Sequence, residues 1–195
     1  MTFAAAVRAS PHNLVSRRAR AELLERHIPE CVHFAAVLPQ GPGRVLDLGS
    51  GGGFPGVVVA ITRPDLEVHL LDATAKKAAF LEEITDSLGL RVPVHTGRAE
   101  VLGQDPSLAA AFDVVTARAV APLDRLIGWS LPFLRSGGLL YAMKGERWQE
   151  ELDAAQDVIA RTGASIIATP EDLHSPGEPR AEWEPRVVIV ARGPR

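Results

Sequence analysis

The stretch Arg44–Gly56, RVLDLGSGGGFPG, governs how the rest of the chain is read. Val45, Leu46 and Leu48 are the apolar residues of a short buried strand. The strand runs into a loop where Gly49 and Gly51–Gly53 lack a Cβ. Such a backbone takes positive φ and approaches a ligand closely. A helix beginning near Gly56 would aim free amides and its dipole at the same point, which suits a polar or anionic group. Strand, glycine loop and helix in that order build nucleotide sites at the carboxyl edge of doubly wound α/β sheets.

The glycines alone do not name the nucleotide. Gly51, Gly53 and Gly56 satisfy G-x-G-x-x-G, which keeps an NAD-dependent oxidoreductase open. Two residues point elsewhere. Asp47, at the strand end, can fix the loop or reach a cationic ligand. Pro55 biases Phe54 away from αR and lengthens the turn. This D-x-G-x-G form resembles the first motif of S-adenosylmethionine-dependent methyltransferases. Asp72 closes the next strand, 23 positions after Gly49, near the ~20 expected of an acid that binds ribose hydroxyls. Loop and acid together specify a nucleoside ligand and leave hydride transfer and methyl transfer both open.

Composition narrows the class. A chain of 195 residues is sized for one domain, with residues 1–40 as a helical extension and 41–195 as the α/β core. Hydrophobic and charged contents of 46% and 23% are those of a soluble globular protein. A net charge of −3 excludes a uniformly basic nucleic-acid coat but not a local basic face. Cys31 is the only cysteine, so there is neither an internal disulfide nor a cysteine metal cluster. That count fits a reducing cytoplasm. No stretch approaches the roughly 20 apolar residues of a spanning helix.

Taken in order, Val15–His27 reads as a helix with a basic face that Pro29 interrupts, followed by a short helix over Glu30–Leu38. Val57–Ile61 is a buried helix and Glu67–Leu71 the second strand. Thr74–Leu88 carries one apolar face at helical spacing. Lys76 and Lys77 lie at its start, the unfavourable end of the dipole, which suggests an anionic partner. Arg91–His95 and Phe112–Thr116 are further strands, the latter leading to Arg118. Leu123–Leu134 is a helix, Leu139–Met143 a strand, and Trp148–Thr162 a helix. Ala164–Ala168 and Val187–Ala191 complete seven strands, with an antiparallel end. The expected fold is α/β, a doubly wound, mostly parallel, Rossmann-like sheet with short N-terminal helices.

GSGGGFPG, LLDAT, GRAE, TARAVAPL and MKGE therefore fall in order at successive strand ends. Together they resemble the bacterial small-subunit ribosomal RNA methyltransferase G family, also called the glucose-inhibited division protein B family. The resemblance runs from about Asn13 to Arg192. It implies a class I methyltransferase fold and methyl transfer from S-adenosylmethionine, with S-adenosylhomocysteine as product, to nitrogen-7 of a guanine in 16S rRNA. By position it implies cofactor contacts at Gly49, Phe54, Asp72, Ala73, Thr74, Ala99 and Glu100, to which the glycine motif itself adds Asp47 and Gly51. Arg118 matches an arginine near the methyl-transfer site. The chain departs from the family in its short amino terminus, and Arg180 and Arg186 compete for a C-terminal arginine position.

The chemistry fits what the chain lacks. Guanine nitrogen-7 presents an in-plane lone pair, so attack needs no general base, and no nucleophile with a histidine partner lies at the strand ends. Arg118 is then expected to orient the guanine or the methionine carboxylate. Arg17, Arg18, Lys76, Lys77, Arg125, Lys144 and Arg147 are the candidates for rRNA phosphates. A cytoplasmic monomer acting on the small ribosomal subunit, without metal or membrane, is the expected form. A catalytically silent RNA-binding or cell-division module on the same fold is a third reading.

Overall fold

The computed structural model describes all residues except 1, 11–20, 175–180, 182–183 and 194–195. Arg17, Arg18 and Arg180 lie outside the described residues. Five parallel strands form the body of one sheet: β1 (Gly43–Leu48), β2 (Leu66–Asp72), β3 (Val94–Thr96), β4 (Phe112–Arg118) and β5 (Leu134–Lys144). β6 (Ser165–Ala168) and β7 (Arg186–Ala191) complete it, with β7 antiparallel to both β5 and β6. The order is β3-β2-β1-β4-β5-β7-β6, which is the doubly wound, mostly parallel sheet expected of the sequence. The chain winds outward from β1 to β3, then returns to β1's other side as β4. The crevice above β1 and β4 is thus the switch point where such sheets hold ligands.

Alternation along the strands sends side chains into two cores. Val45, Val68, Leu70 and Val114 pack on one face with Phe34 of α2 (Ile28–Val37), Val57 of α3 (Gly56–Thr62) and Leu81 of α4 (Ala75–Ser87). Leu46, Leu48, Leu71 and Val115 pack on the other with Leu123 and Leu126 of α6 (Leu123–Ser130) and Trp148 of α7 (Trp148–Ala154). A sheet covered on both faces explains why its strands read as apolar runs rather than alternating ones. The remaining helices are α1 (Phe3–Ala9), α5 (Ala99–Leu102) and α8 (Gln156–Thr162).

Three of the helices differ in their bounds from the sequence reading. Pro29 stands in the first turn of α2, where its missing N–H costs nothing, so it opens the helix instead of interrupting one. A π-helical turn, Leu23–His27, runs directly into it. The helix expected to reach Leu134 stops at Ser130, because Pro132 cannot donate within a helix and Leu134 already pairs with Phe112. The expected Trp148–Thr162 helix breaks into two at the buried Ala155.

Candidate functional site

The glycine loop is tied to the neighbouring strand by its own backbone. Gly49 and Ser50 both donate N–H to the Leu71 carbonyl, at 2.7 and 3.0 Å, and Gly97 donates to Asp72 at 3.1 Å. These bonds bring the ends of β1, β2 and β3 to one point. The Asp72 carboxylate accepts the Gly51 amide at 2.9 Å and the Thr74 amide at 2.8 Å, one on each oxygen. A carboxylate has about four acceptor positions, so two stay available for ligand hydroxyls. Ala73 and Thr74 are exposed beside it. Ala99 is buried at the start of α5, with Glu100 exposed next to it. Gly49 has φ +74°, and a Cβ there would stand 2.6 Å from a Val120 methyl. Only glycine fits that position.

Asp47 and Phe54 both turn into the core, Asp47 in the loop-fixing one of its two expected roles and Phe54 away from the expected cofactor contact. Asp47 is buried beneath the loop, accepting the Thr116 hydroxyl at 2.8 Å and the Gly56 amide at 3.1 Å. It therefore fixes the loop. Burial is the largest influence on its carboxyl and pushes the pKa from the ordinary 3.8 up to about 6, against the hydrogen bonds that pull it down. The Phe54 ring is buried against Phe3, with centroids 5.0 Å apart, and braces the loop from the core side. The first amides of α3 are also occupied: Gly56 by Asp47, and Val57 by the Gly53 carbonyl at 2.9 Å. The expected open helix terminus is not available to an anion.

Beyond the ends of β4 and β5 lies a cleft of about 800 Å³, lined among others by Arg118, Val120, Lys144, Arg147 and Arg186. Arg118 sits in it, held from the amino-terminal segment. Its Nη2 pairs with Glu30 at 2.7 Å and meets His27 Nδ1, and its Nη1 donates to the Cys31 sulfur at 3.3 Å. Burial drives the Cys31 thiol up to about 12, so at neutral pH it is a protonated acceptor and not a nucleophile. The guanidinium has five N–H groups, and its hydrogen bonds to Cys31 and His27 engage two of them, the Glu30 contact being an ion pair. Glu30, His27 and Cys31 are site residues that sequence reading missed. They lie 87 to 91 positions from Arg118, and no spacing rule links them.

Lys144, expected at an rRNA phosphate, is engaged within the protein instead. Its ammonium donates to the Ala121 carbonyl and to Glu151 Oε2, both at 2.7 Å, and its side chain is 6% exposed. The lysine is engaged in an internal pair with Glu151, whose own side chain is 29% exposed. Arg147 lines the cleft and is exposed, as are Lys76 at the start of α4 and Arg125, whose guanidinium lies 5.0 Å over the Trp129 ring. Lys77 is half-buried. Arg186 opens β7 opposite Lys144 and lines the cleft. Among the described residues no group of three His, Cys, Asp or Glu is placed to hold a metal ion, and no helix is long and apolar enough to cross a membrane.

Residues 6–174 match the family rRNA small subunit methyltransferase G. The chain belongs to that family. Relatives bearing the same name are 48% identical over 154 residues in Thermobifida fusca and 42% identical over 183 residues in Roseiflexus castenholzii. These alignments cover 78% and 93% of this chain, and 63% and 76% of the relatives. The chain thus spans less than two thirds of the Thermobifida relative's length. Two solved structures share the fold. One is a putative S-adenosyl-L-methionine-dependent methyltransferase from Methanococcus maripaludis, with TM-score 0.66 at 15% identity, covering 91% of this chain and 90% of that one. The other is a predicted O-methyltransferase from Agrobacterium tumefaciens, with TM-score 0.62 at 21% identity, covering 85% and 81%.

Proposed function

We propose that the chain transfers a methyl group from S-adenosylmethionine to nitrogen-7 of a guanine in 16S rRNA of the small ribosomal subunit, as a cytoplasmic monomer with residues 1–195 forming one methyltransferase domain. The observation that carries the choice of cofactor is that the amides beneath the glycine loop are already taken. With the Gly56 amide held by Asp47 and the Val57 amide by the Gly53 carbonyl, the start of α3 offers a pyrophosphate no welcome, whereas a sulfonium nucleoside needs none there. This disfavours the NAD reading despite the intact G-x-G-x-x-G. Asp72 retains acceptor capacity for vicinal ribose hydroxyls. The close approach of Val120 to Gly49 brings the nucleoside loop against the cleft segment.

S-adenosylmethionine supplies a methyl group on a positively charged sulfur. The chain's residues supply placement. Arg118, anchored by Glu30 and His27, lines the cleft with a guanidinium that can donate to an acceptor oxygen such as guanine O6. That contact would leave the adjacent nitrogen-7 lone pair free to attack. No proton must be removed first, so no base is required in the cleft. Alignment of this kind is worth ~7–11 kcal/mol of a barrier.

The test is transfer of labelled methyl to small subunits from a strain lacking this modification, with mapping of the modified base. Label at a 16S guanine nitrogen-7 is expected, together with release of S-adenosylhomocysteine. Binding of reduced nicotinamide, or cofactor binding without transfer, would reject the proposal in favour of the oxidoreductase or the silent module.

A further inference from the structure

We propose that Glu151, acting through Lys144, is a positioning residue for the transfer reaction and that neither takes part in holding RNA; this rests on the methyltransferase reading above. The segment Ala119–Pro122 joins β4 to α6 and separates Arg118 from the helix. Ala119 has φ +53°, a left-handed conformation that a non-glycine residue keeps only when its surroundings impose it. Those surroundings are visible. Lys144 Nζ holds the Ala121 carbonyl at 2.7 Å, and Glu151 Oε2 accepts both Lys144 at 2.7 Å and the Leu123 amide at 3.0 Å. One carboxylate oxygen therefore fixes the end of the segment directly and its middle through the lysine.

The fixed segment has consequences on both sides. Arg118 immediately precedes it, so its displacement would move the guanidinium in the cleft. Val120 within it stands where a Gly49 Cβ would be, so the same displacement would loosen the contact to the glycine loop. The pair is thus the clamp that sets the acceptor cleft against the cofactor loop. Its burial argues for the same role. A phosphate contact needs an ammonium that reaches solvent, and this one is enclosed by a carbonyl and a carboxylate. In low-dielectric surroundings such charge-assisted bonds are strong, and removing one partner is costly.

Steady-state methylation of small subunits by wild type, Glu151→Gln, Lys144→Met and the double variant tests the proposal, with melting temperature and S-adenosylmethionine calorimetry on each. Glu151→Gln is expected to lower kcat about 10- to 100-fold, in the range set by a misplacement on the order of 1 Å. The KM for subunits and its salt dependence should stay at the wild-type values. The double variant should be no worse than the more damaging single, because the two residues act as a unit. If Lys144 binds phosphate instead, Glu151→Gln leaves kcat unchanged, while Lys144→Met raises KM and flattens the salt dependence by about one phosphate's worth. That result overturns the proposal. Val120→Ala tests the same clamp without touching the ion pair, should either variant fail to fold. It should lower kcat at unchanged KM, and wild-type kcat would overturn the inference. A wild-type enzyme that transfers no label refutes the function reading and the inference with it; an active wild type with an unaffected Glu151→Gln refutes the inference alone.

Discussion

Around Gly49 the sheet edge is held by backbone amides reaching the adjacent strand, whereas around Arg118 it is held by side chains drawn from distant elements. On the first side, Gly49 and Ser50 bond to Leu71 and Gly51 to Asp72, within 21 or 22 positions of one another. On the second, Glu30 crosses to Arg118, and Glu151 crosses to Lys144 and the start of α6. Backbone-built geometry depends on where a Cβ can be absent. Side-chain-built geometry depends on charge pairing. The two halves should therefore fail in different ways, and the following substitutions separate them.

The largest effect is expected on the backbone-built side. A Cβ at Gly56 would lie 2.4 Å from a Leu70 methyl and 2.5 Å from Asp47 Oδ2. Gly56→Ala should destabilise the chain by ~3 kcal/mol, as overpacking of a filled core does. Thermal melting at fixed pH measures it. Gly145→Ala, at the cleft, is the contrast: nothing stands within 4 Å of its Cβ, and the melt should stay within about 0.5 kcal/mol of wild type. Equal tolerance at both positions would break the distinction.

On the side-chain-built half the expected loss is of rate. Arg118→Ala should cost about 100-fold in kcat on small subunits, while S-adenosylmethionine binding by calorimetry changes little. Glu30→Gln keeps an acceptor for the guanidinium without the charge, and should cost about 10-fold. If Arg118→Ala abolished cofactor binding instead, the arginine would belong to the cofactor half.

Asp47 gives the comparison a pH axis. Its native pKa of about 6 lies above the ordinary 3.8, so between these values the folded chain binds more protons than the unfolded one. Stability then falls as pH rises through that window, by on the order of 3 kcal/mol at 1.36 kcal/mol per unit. Asp47→Asn can present its oxygen to Gly56 and its amide to the Thr116 hydroxyl. It should melt within about 1 kcal/mol of wild type at pH 7.5 and lose this component of the slope between pH 4 and 6. A slope unchanged in the variant would assign the titration to another group.

The same division explains what the sequence could reveal. The seven-stranded, mostly parallel sheet and the glycine loop were legible because each follows from periodicity or from a local need for glycine. Asp47 was legible as a site residue but not as a buried one; its alternatives differed only in which way the carboxylate turned, and Thr116, 69 positions away, decides that. Lys144 was misread for a similar reason. A lysine at a strand end looks like a phosphate contact until Glu151, in the first turn of α7, is folded against it. The Glu30–Arg118 pair had no sequence signal at all, since it depends on where α2 docks.

The smallest effects belong to the cations that neither half holds in place. Lys76 and Arg147 are exposed, and Arg125 is exposed over the Trp129 ring. An exposed charge acts on RNA through counterion release, by about 0.7 in the salt slope per phosphate contact for a single strand. Reversal of one of them to Glu should weaken subunit binding only a few-fold at physiological salt and leave kcat unchanged. Reversal of all three should reduce the slope of log affinity against log salt by about two. The ordering tests the comparison directly, because substitutions at Lys144 should leave that slope alone while lowering kcat. A salt slope that responds to Lys144 as it does to Arg147 would mean that the lysine leaves Glu151 when RNA arrives.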